Sequence, residues 1–463
     1  MTRAVYDIGI AGLKGIGSSL AMNIAGHGYP AAAYDATAIT LRALGLEVER
    51  GAIATANSLS EFVGLLSLPR TVIVAAPSRP AAERLINELE PLLTSGDVII
   101  DAGNAYFKDT DARAKILGAR GIELLGVGVS GVGRCARDGV CIMAGGSSSA
   151  YDRVSHLLIR IAAKVNGEPC VAYLGPRSAG HYVGMIHSAV VQAVTQLIAE
   201  TYDVMSRGFG MSDVAIQQVY SRWQGSEVAS NLLGRIATRL SDNKGEIGAR
   251  LFDLLVDEAD RYESARWVSL EARNLEQSIP TIDVAVAMLA LSSVEEGLTA
   301  LRRMLGGRRP VHYVGKPELL YEQLKRALCV GMIATFAQGL SLLRAGSEAY
   351  RFELSIETIA RIWRGSILRS PMLQDICDAL YVQPHLRNLL LDPQFEHQTV
   401  SRRSDLLAVV RLAKGLGIPA PALAASLAYY ESHRRVDPIV CARKQCSPVE
   451  HDAVTCIGSV SEQ

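Results

Sequence analysis

The chain has 463 residues, of which 49% are hydrophobic, and its 47 Lys plus Arg are matched by 47 Asp plus Glu. That length exceeds what one hydrophobic core usually serves, so two or three domains are expected. The balanced charge provides no overall field for nucleic acid or an anionic membrane, so neither is an expected partner and any anion site must be local.

Eight cysteines are present, with no C-x-x-C pair and no metal-ligand spacing to histidine, which reads as the reduced thiols of a cytoplasmic protein rather than a metal site. Met1-Thr2-Arg3 leads at once into a strand-like run, leaving no room for a secretory leader. No apolar run reaches the roughly 18 residues needed to span a bilayer. A cytoplasmic location is expected.

The first strand, expected over Val5 to Ile10, runs into Gly9-Ile-Ala-Gly12-Leu-Lys14-Gly15-Ile16-Gly17, and a helix is expected immediately behind it. Glycines there let the backbone turn tightly and approach a pyrophosphate, whose charge the helix N-terminal amides would hold. Asp35 falls at the end of the next strand, Ala31 to Tyr34, about 20 residues on, where a carboxylate accepts from a ribose 2′-hydroxyl and repels a 2′-phosphate. Gly12, Lys14, Gly15, Ile16, Gly17 and Asp35 are therefore candidate cofactor ligands, with NAD favoured over NADP. Lys14 stands where the fingerprint wants Gly or Ala, and its long side chain either blocks the pyrophosphate or reaches it.

Further strands are expected over Thr71 to Ala75, Val98 to Asp101 and Ile122 to Gly126, alternating with amphipathic helices. Such alternation implies a parallel sheet covered on both faces, with ligands at the carboxyl ends of the strands. Beyond Gly175 the strand signal vanishes and apolar residues recur at helical spacing as far as about Glu431. Within that part, Trp223-Gln-Gly-Ser226 and Trp363-Arg-Gly-Ser366 lie 140 residues apart, each after a long alanine-rich helix and a short helix beginning at serine. The chain thus reads as a Rossmann-like α/β domain over 1–175, a large, internally duplicated all-α domain over 176–435, and a tail over 436–463 poor in apolar periodicity.

The stretches GLKGIGSSLAMNIAGHGY, DVIIDAGNAYFKDT, LLGVGVSG, IMAGG, AGHYVGMIHS, QLIAETY, IARIWRGSILRS and GIPAPALAASLAYYESHR resemble, in order, the decarboxylating 6-phosphogluconate dehydrogenases, relatives of the 3-hydroxyisobutyrate dehydrogenases. The resemblance implies a homodimer built on the helical domain, with a C-terminal tail that reaches into the partner's site. It implies that Asn104, Ser130, Gly131 and His187 hold the carboxylate and hydroxyl end of a small anionic substrate near the nicotinamide, which Asn104 would also touch. It further implies substrate contacts from Tyr262 and Ser264 in the phosphate-holding segment, from Arg443 and His451 in the tail, and from Ser188, which stands where the family has an asparagine, as Gln192 stands where it has a tyrosine.

Other positions depart from the family pattern. A lysine that serves as base is replaced by Gly184, and a glutamate that serves as acid by Val191. SGGEEGA reads Ser130-Gly-Val132-Gly-Arg134-Cys-Ala136, KGTGKW reads Tyr262-Glu263-Ser-Ala-Arg-Trp267, an expected arginine aligns with Met288, and Asp35-Ala36-Thr37 stands where an Asn-Arg pair grips the NADP 2′-phosphate. Each charge-assisted bond to a phosphate is worth roughly 1.5–3 kcal/mol, so losing two cations removes most of that affinity. Losing acid and base costs on the order of 10⁴-fold in rate. The favoured expectation is a nicotinamide-dependent oxidoreductase acting on a smaller anionic hydroxy compound or ketone, with His187 as proton donor and Tyr262 and Lys14 behind it. A histidine kept for helix packing is the plainer account of His187. The alternatives are a dimeric pseudoenzyme scaffold, and decarboxylating 6-phosphogluconate dehydrogenase activity with a relocated base.

Overall fold

Each strand expected from a β-branched run is present in the computed structural model, which describes residues 6–37, 40, 52–131, 139–242, 259–292, 313–316 and 318–434. These are β1 (Tyr6–Ala11), β2 (Ala31–Tyr34), β4 (Leu66–Val74), β5 (Val98–Asp101) and β6 (Glu123–Ser130), joined by β3 (Ile53–Ala56), β7 (Cys141–Gly146) and β10 (Val171–Tyr173). The eight strands form one sheet in the order β10-β7-β6-β5-β4-β1-β2-β3, and β8 (Lys164–Val165) and β9 (Glu168–Pro169) form a separate small hairpin. Helices α1 (Ile16–Gly26), α2 (Leu59–Gly64), α3 (Arg79–Leu89), α4 (Phe107–Gly118) and α5 (Ser148–Ile161) alternate with these strands.

The sheet departs from the all-parallel expectation at one seam, because β7 runs antiparallel to β6, pairing Gly128 with Met143 and Ser130 with Cys141. Only the ten residues 131–140 separate these strands, too few for the crossover a parallel return requires. Elsewhere the order is that of a doubly wound fold, with the topological switch between β1 and β4. Backbone bonds from Ala75 N–H to Ala11 O (2.9 Å) and from Gly12 N–H to Tyr34 O (2.9 Å) carry the ladder past the strand ends and fix the rim of the crevice there.

After β10 the described chain is helical: α6 (Ala179–Asp203), extended by a π turn over Val204–Gly208, then α7 (Asp213–Trp223), α8 (Asn231–Asp242), α9 (Ala259–Asn274), α10 (Pro280–Ser292), α11 (Glu318–Tyr350), α12 (Ile356–Trp363), α13 (Pro371–Val382), α14 (Pro393–Leu416) and α15 (Pro421–Arg434). The tryptophan repeat marks two equivalent units. Ser212 and Ser355 cap α7 and α12 by accepting from Ala215 N–H and Thr358 N–H. After each tryptophan the serine hydroxyl turns back, Ser226 Oγ to Trp223 O and Ser366 Oγ to Trp363 O, both at 2.7 Å. Ser230 and Ser370 then cap the next helices through Leu233 N–H and Leu373 N–H. The units meet where Asn231 N–H donates to Arg369 O at 3.0 Å.

Segments Ala179–Gly208 and Leu320–Tyr350 are long and apolar enough to cross a membrane, and 89% of the apolar window of each is buried inside the fold. They correct the expectation that no segment meets that test, which counted uninterrupted runs and so missed helices with scattered polar residues. Their burial makes them the two core helices on which the helical domain is built, packed against each other. Cys141, Cys170, Cys329 and Cys377 are free and buried.

Candidate functional site

The glycine loop lies at the β1/β4 switch point. Gly12 has φ +88°, and a Cβ there would stand 3.0 Å from Ala75 O, while a Cβ on Gly17 would stand 2.0 Å from Gly12 O. Both positions therefore need glycine, one for backbone conformation and close approach, the other for the packing of α1 against the loop. Gly15 (φ +65°) opens α1 with no side-chain cap and no acid in its first turn, so an anion meets no competitor at the helix amides. Lys14 is exposed, as is Gly15.

Asp35 does more than the sequence suggests. It is 8% exposed, its Oδ2 accepts from Leu13 N–H at 2.8 Å, and its Oδ1 accepts from Thr37 N–H at 2.8 Å. The carboxylate ties the glycine loop to the end of β2, and each oxygen keeps a further acceptor site for a ribose hydroxyl. The cradle and the uncapped helix start fit a dinucleotide. Gly12, Lys14, Gly15, Ile16 and Gly17 would hold its pyrophosphate, and Asp35 its adenosine ribose. When bound, the nicotinamide supplies the hydride acceptor or donor.

The other end of the crevice is built where α6 lies on the sheet. A Cβ on Gly180 would meet Gly126 O at 2.2 Å and Met143 O at 2.4 Å, and a Cβ on Gly184 would meet Gly128 Cα at 2.8 Å. Two glycines one helical turn apart thus place the helix backbone directly on β6 and β7. Position 184 carries no side chain that could serve as a base and is closed by main chain. Gly184, His187, Ser188 and Val191 follow the i, i+3, i+4, i+7 spacing of one helix face. His187 is 4% exposed, with its ring edge-on to Trp363 at 5.2 Å between centroids, and the Trp363 indole N–H points to Met143 Sδ at 3.3 Å. Ser188 is half-buried and donates to Gly184 O at 3.1 Å, and Val191 is 4% exposed within the helical core. Ser130 ends β6 at 7% exposure, and a Cβ on the next residue, Gly131, would press on the Val140 side chain at 2.8 Å.

Asn104 is half-buried in the loop between β5 and α4, and the start of that loop is pinned. Asp101 is fully buried, receives Gly103 N–H (3.1 Å) and Arg113 Nη1 (3.0 Å), and its carbonyl oxygen lies 2.9 Å from His181 Nε2 on α6. A carbonyl can only accept, so Nε2 carries the proton and Nδ1 accepts from the Thr110 hydroxyl at 2.7 Å. Burial, helped by Arg113, holds the His181 imidazole below its usual range and keeps this tautomer neutral.

Ser264 is 3% exposed on α9. Tyr262 lies in the first turn of α9, whereas Arg443 and His451, with Val132, Arg134 and the tail, lie outside the described residues. Sequence reasoning missed Glu271, a fully buried α9 carboxylate at the junction of the two layers, although helical spacing puts it on the same face as Ser264 and Trp267. Among the described residues no cluster of three or more His, Cys, Asp or Glu is arranged to hold a metal ion.

Known proteins share this architecture throughout. Residues 7–175 match the model of the NAD binding domain of 6-phosphogluconate dehydrogenase, and residues 180–438 match that of its C-terminal domain. The chain belongs to the 6-phosphogluconate dehydrogenase family. A decarboxylating 6-phosphogluconate dehydrogenase of Synechocystis sp. is 34% identical over 446 residues, covering 94% of this chain and 91% of that one. The NADP(+)-dependent, decarboxylating 6-phosphogluconate dehydrogenase of Bacillus subtilis is 34% identical over 92% of each chain. The structure of the Plasmodium falciparum 6-phosphogluconate dehydrogenase superposes with a TM-score of 0.84 at 30% identity, covering 95% of both chains. As a member of the 6-phosphogluconate dehydrogenase family, the protein is an NAD(P)-dependent oxidoreductase with a Rossmann-like domain followed by a largely helical one.

Proposed function

We propose that this member of the 6-phosphogluconate dehydrogenase family transfers hydride between a nicotinamide cofactor and an anionic hydroxy compound, without the proton steps that a lysine and a glutamate would serve. One observation carries the proposal: Gly184 rests on Gly128 main chain to main chain, and Val191 is buried in the helical core, so neither position supplies a base or an acid. A plain alcohol–ketone interconversion needs a single proton carrier, and His187 is the residue we assign to it, with Asn104, Ser130, Gly131 and Ser188 holding the substrate. Asp35 favours NAD, whereas the Bacillus subtilis relative is described as NADP(+)-dependent. The assembly proposed is a cytoplasmic homodimer whose tail, with Arg443 and His451, adds to the partner's site.

A second reading has its own support. Relatives described as decarboxylating 6-phosphogluconate dehydrogenases align at 34–36% identity over more than nine-tenths of this chain. That likeness favours 6-phosphogluconate itself over the smaller substrate the sequence suggests, and it requires the base and acid to come from other positions.

The test begins with fluorescence titration by NADH and NADPH. Incubation with 6-phosphogluconate and oxidised nucleotide follows, scored separately for nucleotide reduction and for carbon dioxide. Reduction without carbon dioxide supports the proposal. Stoichiometric carbon dioxide replaces it with the second reading, and failure to bind either nucleotide leaves an inactive scaffold.

A further inference from the structure

Glu271 has a side chain with no exposed surface, and its carboxylate receives hydrogen bonds from three helices. Oε1 accepts from Tyr106 Oη at 2.8 Å and Lys108 Nζ at 2.7 Å, both flanking the first residue of α4 in the nucleotide-binding layer. The same oxygen accepts from Asn274 Nδ2 at 3.1 Å, and Oε2 accepts from Tyr350 Oη, at the C-terminal end of α11, at 2.5 Å. One turn earlier on α9, the Trp267 ring lies 5.2 Å from that of Tyr106, and the Arg79 guanidinium sits 5.9 Å above it while pairing with Asp109 at 2.7 Å. A buried carboxylate is costly unless its oxygens are well supplied with donors, and this one is. Of the residues Glu271 gathers, Tyr106 and Lys108 follow β5, and Arg79, seated on Trp267, follows β4, the strand at the switch point.

Asn104 lies two residues before Tyr106. Its loop is held at the start by Asp101, through His181 of α6, and at the end by Tyr106 and Lys108, through Glu271 of α9. We infer that Glu271 is a positioning residue: through Tyr106 and Lys108 it fixes the Asn104 loop at the nicotinamide end of the crevice and joins the two domains there before any ligand arrives. This rests on the reading of Asn104 given under the proposed function. A loop set in advance avoids the ordering cost of binding, and the benefit falls only on ligands that reach it.

The experiment compares the full-length protein with Glu271→Ala, Glu271→Gln and Tyr106→Phe. The last keeps the ring against Trp267 and removes one donor, so a readable variant remains should Glu271→Ala fail to fold. Each is titrated with NADH and with ADP-ribose, which carries adenosine and pyrophosphate but no nicotinamide, and hydrogen exchange is followed over residues 102–110. The expected result is NADH affinity weakened about tenfold in Glu271→Ala with ADP-ribose held within about twofold. Exchange over 102–110 should accelerate, and Glu271→Gln should recover part of both effects. Equal loss of both ligands would make Glu271 a general stabiliser and overturn the inference, as would unchanged NADH affinity and exchange in Glu271→Ala and Tyr106→Phe. Wild-type protein that binds ADP-ribose but not NADH would remove the nicotinamide reading and this role with it.

Discussion

Replacing Gly184 by alanine tests whether the position assigned to a lysine by family resemblance has become part of the packing. The added Cβ would lie 2.8 Å from Gly128 Cα and 3.7 Å from Gly128 N. Carbon atoms prefer about 3.5–4.0 Å, so α6 must lift by about 1 Å or the contact must be compressed. Overpacking of this kind costs about 1–3 kcal/mol. Alanine in place of a mid-helix glycine returns about 0.5–1 kcal/mol, so a net loss of up to about 2.5 kcal/mol is expected. Gly415, in α14, supplies the control, because a Cβ there meets nothing within 4 Å, and Gly415→Ala should be neutral or mildly stabilising. Urea unfolding of the two variants, followed by circular dichroism, should move the midpoint in opposite directions. If Gly184→Ala raises the midpoint as Gly415→Ala does, the seam is slack and the argument fails. The same reasoning expects no decarboxylating activity from Gly184→Lys. Val191→Glu, which would supply the missing acid, places a carboxylate in the apolar core at a cost of several kcal/mol.

Asp35→Ala removes the link between the nucleotide loop and the end of β2, leaving the Leu13 and Thr37 amides without this acceptor. Each bond to the charged group is worth roughly 1.5–3 kcal/mol at most, so melting temperature and NADH affinity should fall together, and a variant that melts normally would show that the loop holds itself. Asp97 has a fully buried side chain that accepts from Arg70 N (2.7 Å), Arg70 Nη1 (3.0 Å) and Thr94 N (2.9 Å). Asp97→Ala leaves the Arg70 and Thr94 amides without their acceptor and the Arg70 guanidinium with only Val63 O and Thr94 Oγ1, and should cost about 2–4 kcal/mol, read as a lower unfolding midpoint with no selective effect on nucleotide binding. Glu200 receives Ala422 N–H (2.7 Å), Leu423 N–H (2.9 Å) and Gln196 Nε2 (2.9 Å) at the start of α15, yet burial outweighs these donors and pushes its carboxyl up to about 7. An acid whose folded pKa exceeds its unfolded value of 4.5 binds more protons when folded, so its contribution is present at low pH and is lost as pH rises from about 4.5 through 7. Thermal melts from pH 5 to pH 8 should show that decline in the wild type and a flatter profile in Glu200→Gln; parallel profiles would assign the slope to other groups.

What the sequence discloses here is what local pattern encodes. The glycine loop, the strand before it, Asp35 and the two tryptophan turns are each signalled within about twenty residues, and all are found in place. Strand β7 is hidden because Cys141-Ile-Met-Ala-Gly-Gly146 mixes strand formers with small residues, and only its pairing with β6 makes it a strand. Glu271 meets Tyr106 across 165 residues and Tyr350 across 79, so helical spacing sets it on the face of Ser264 and Trp267 but does not disclose which groups it holds.

Position 184 shows how the two kinds of information combine. In the sequence, Gly184 is a loss, a helix residue with no side chain where a base was expected. In the fold it is also a gain, because together with Gly180 it lets α6 rest on β6 over a full helical turn. The domains are thereby joined by main-chain contact on one side of the crevice and by the Glu271 cluster on another, and neither contact depends on a ligand. A seam of that kind opposes reinsertion of the lysine, since a new side chain must first separate surfaces that have closed. Whatever reaction the protein performs is therefore built around the glycine, and its proton carrier has to be found among groups that face the crevice with this seam shut.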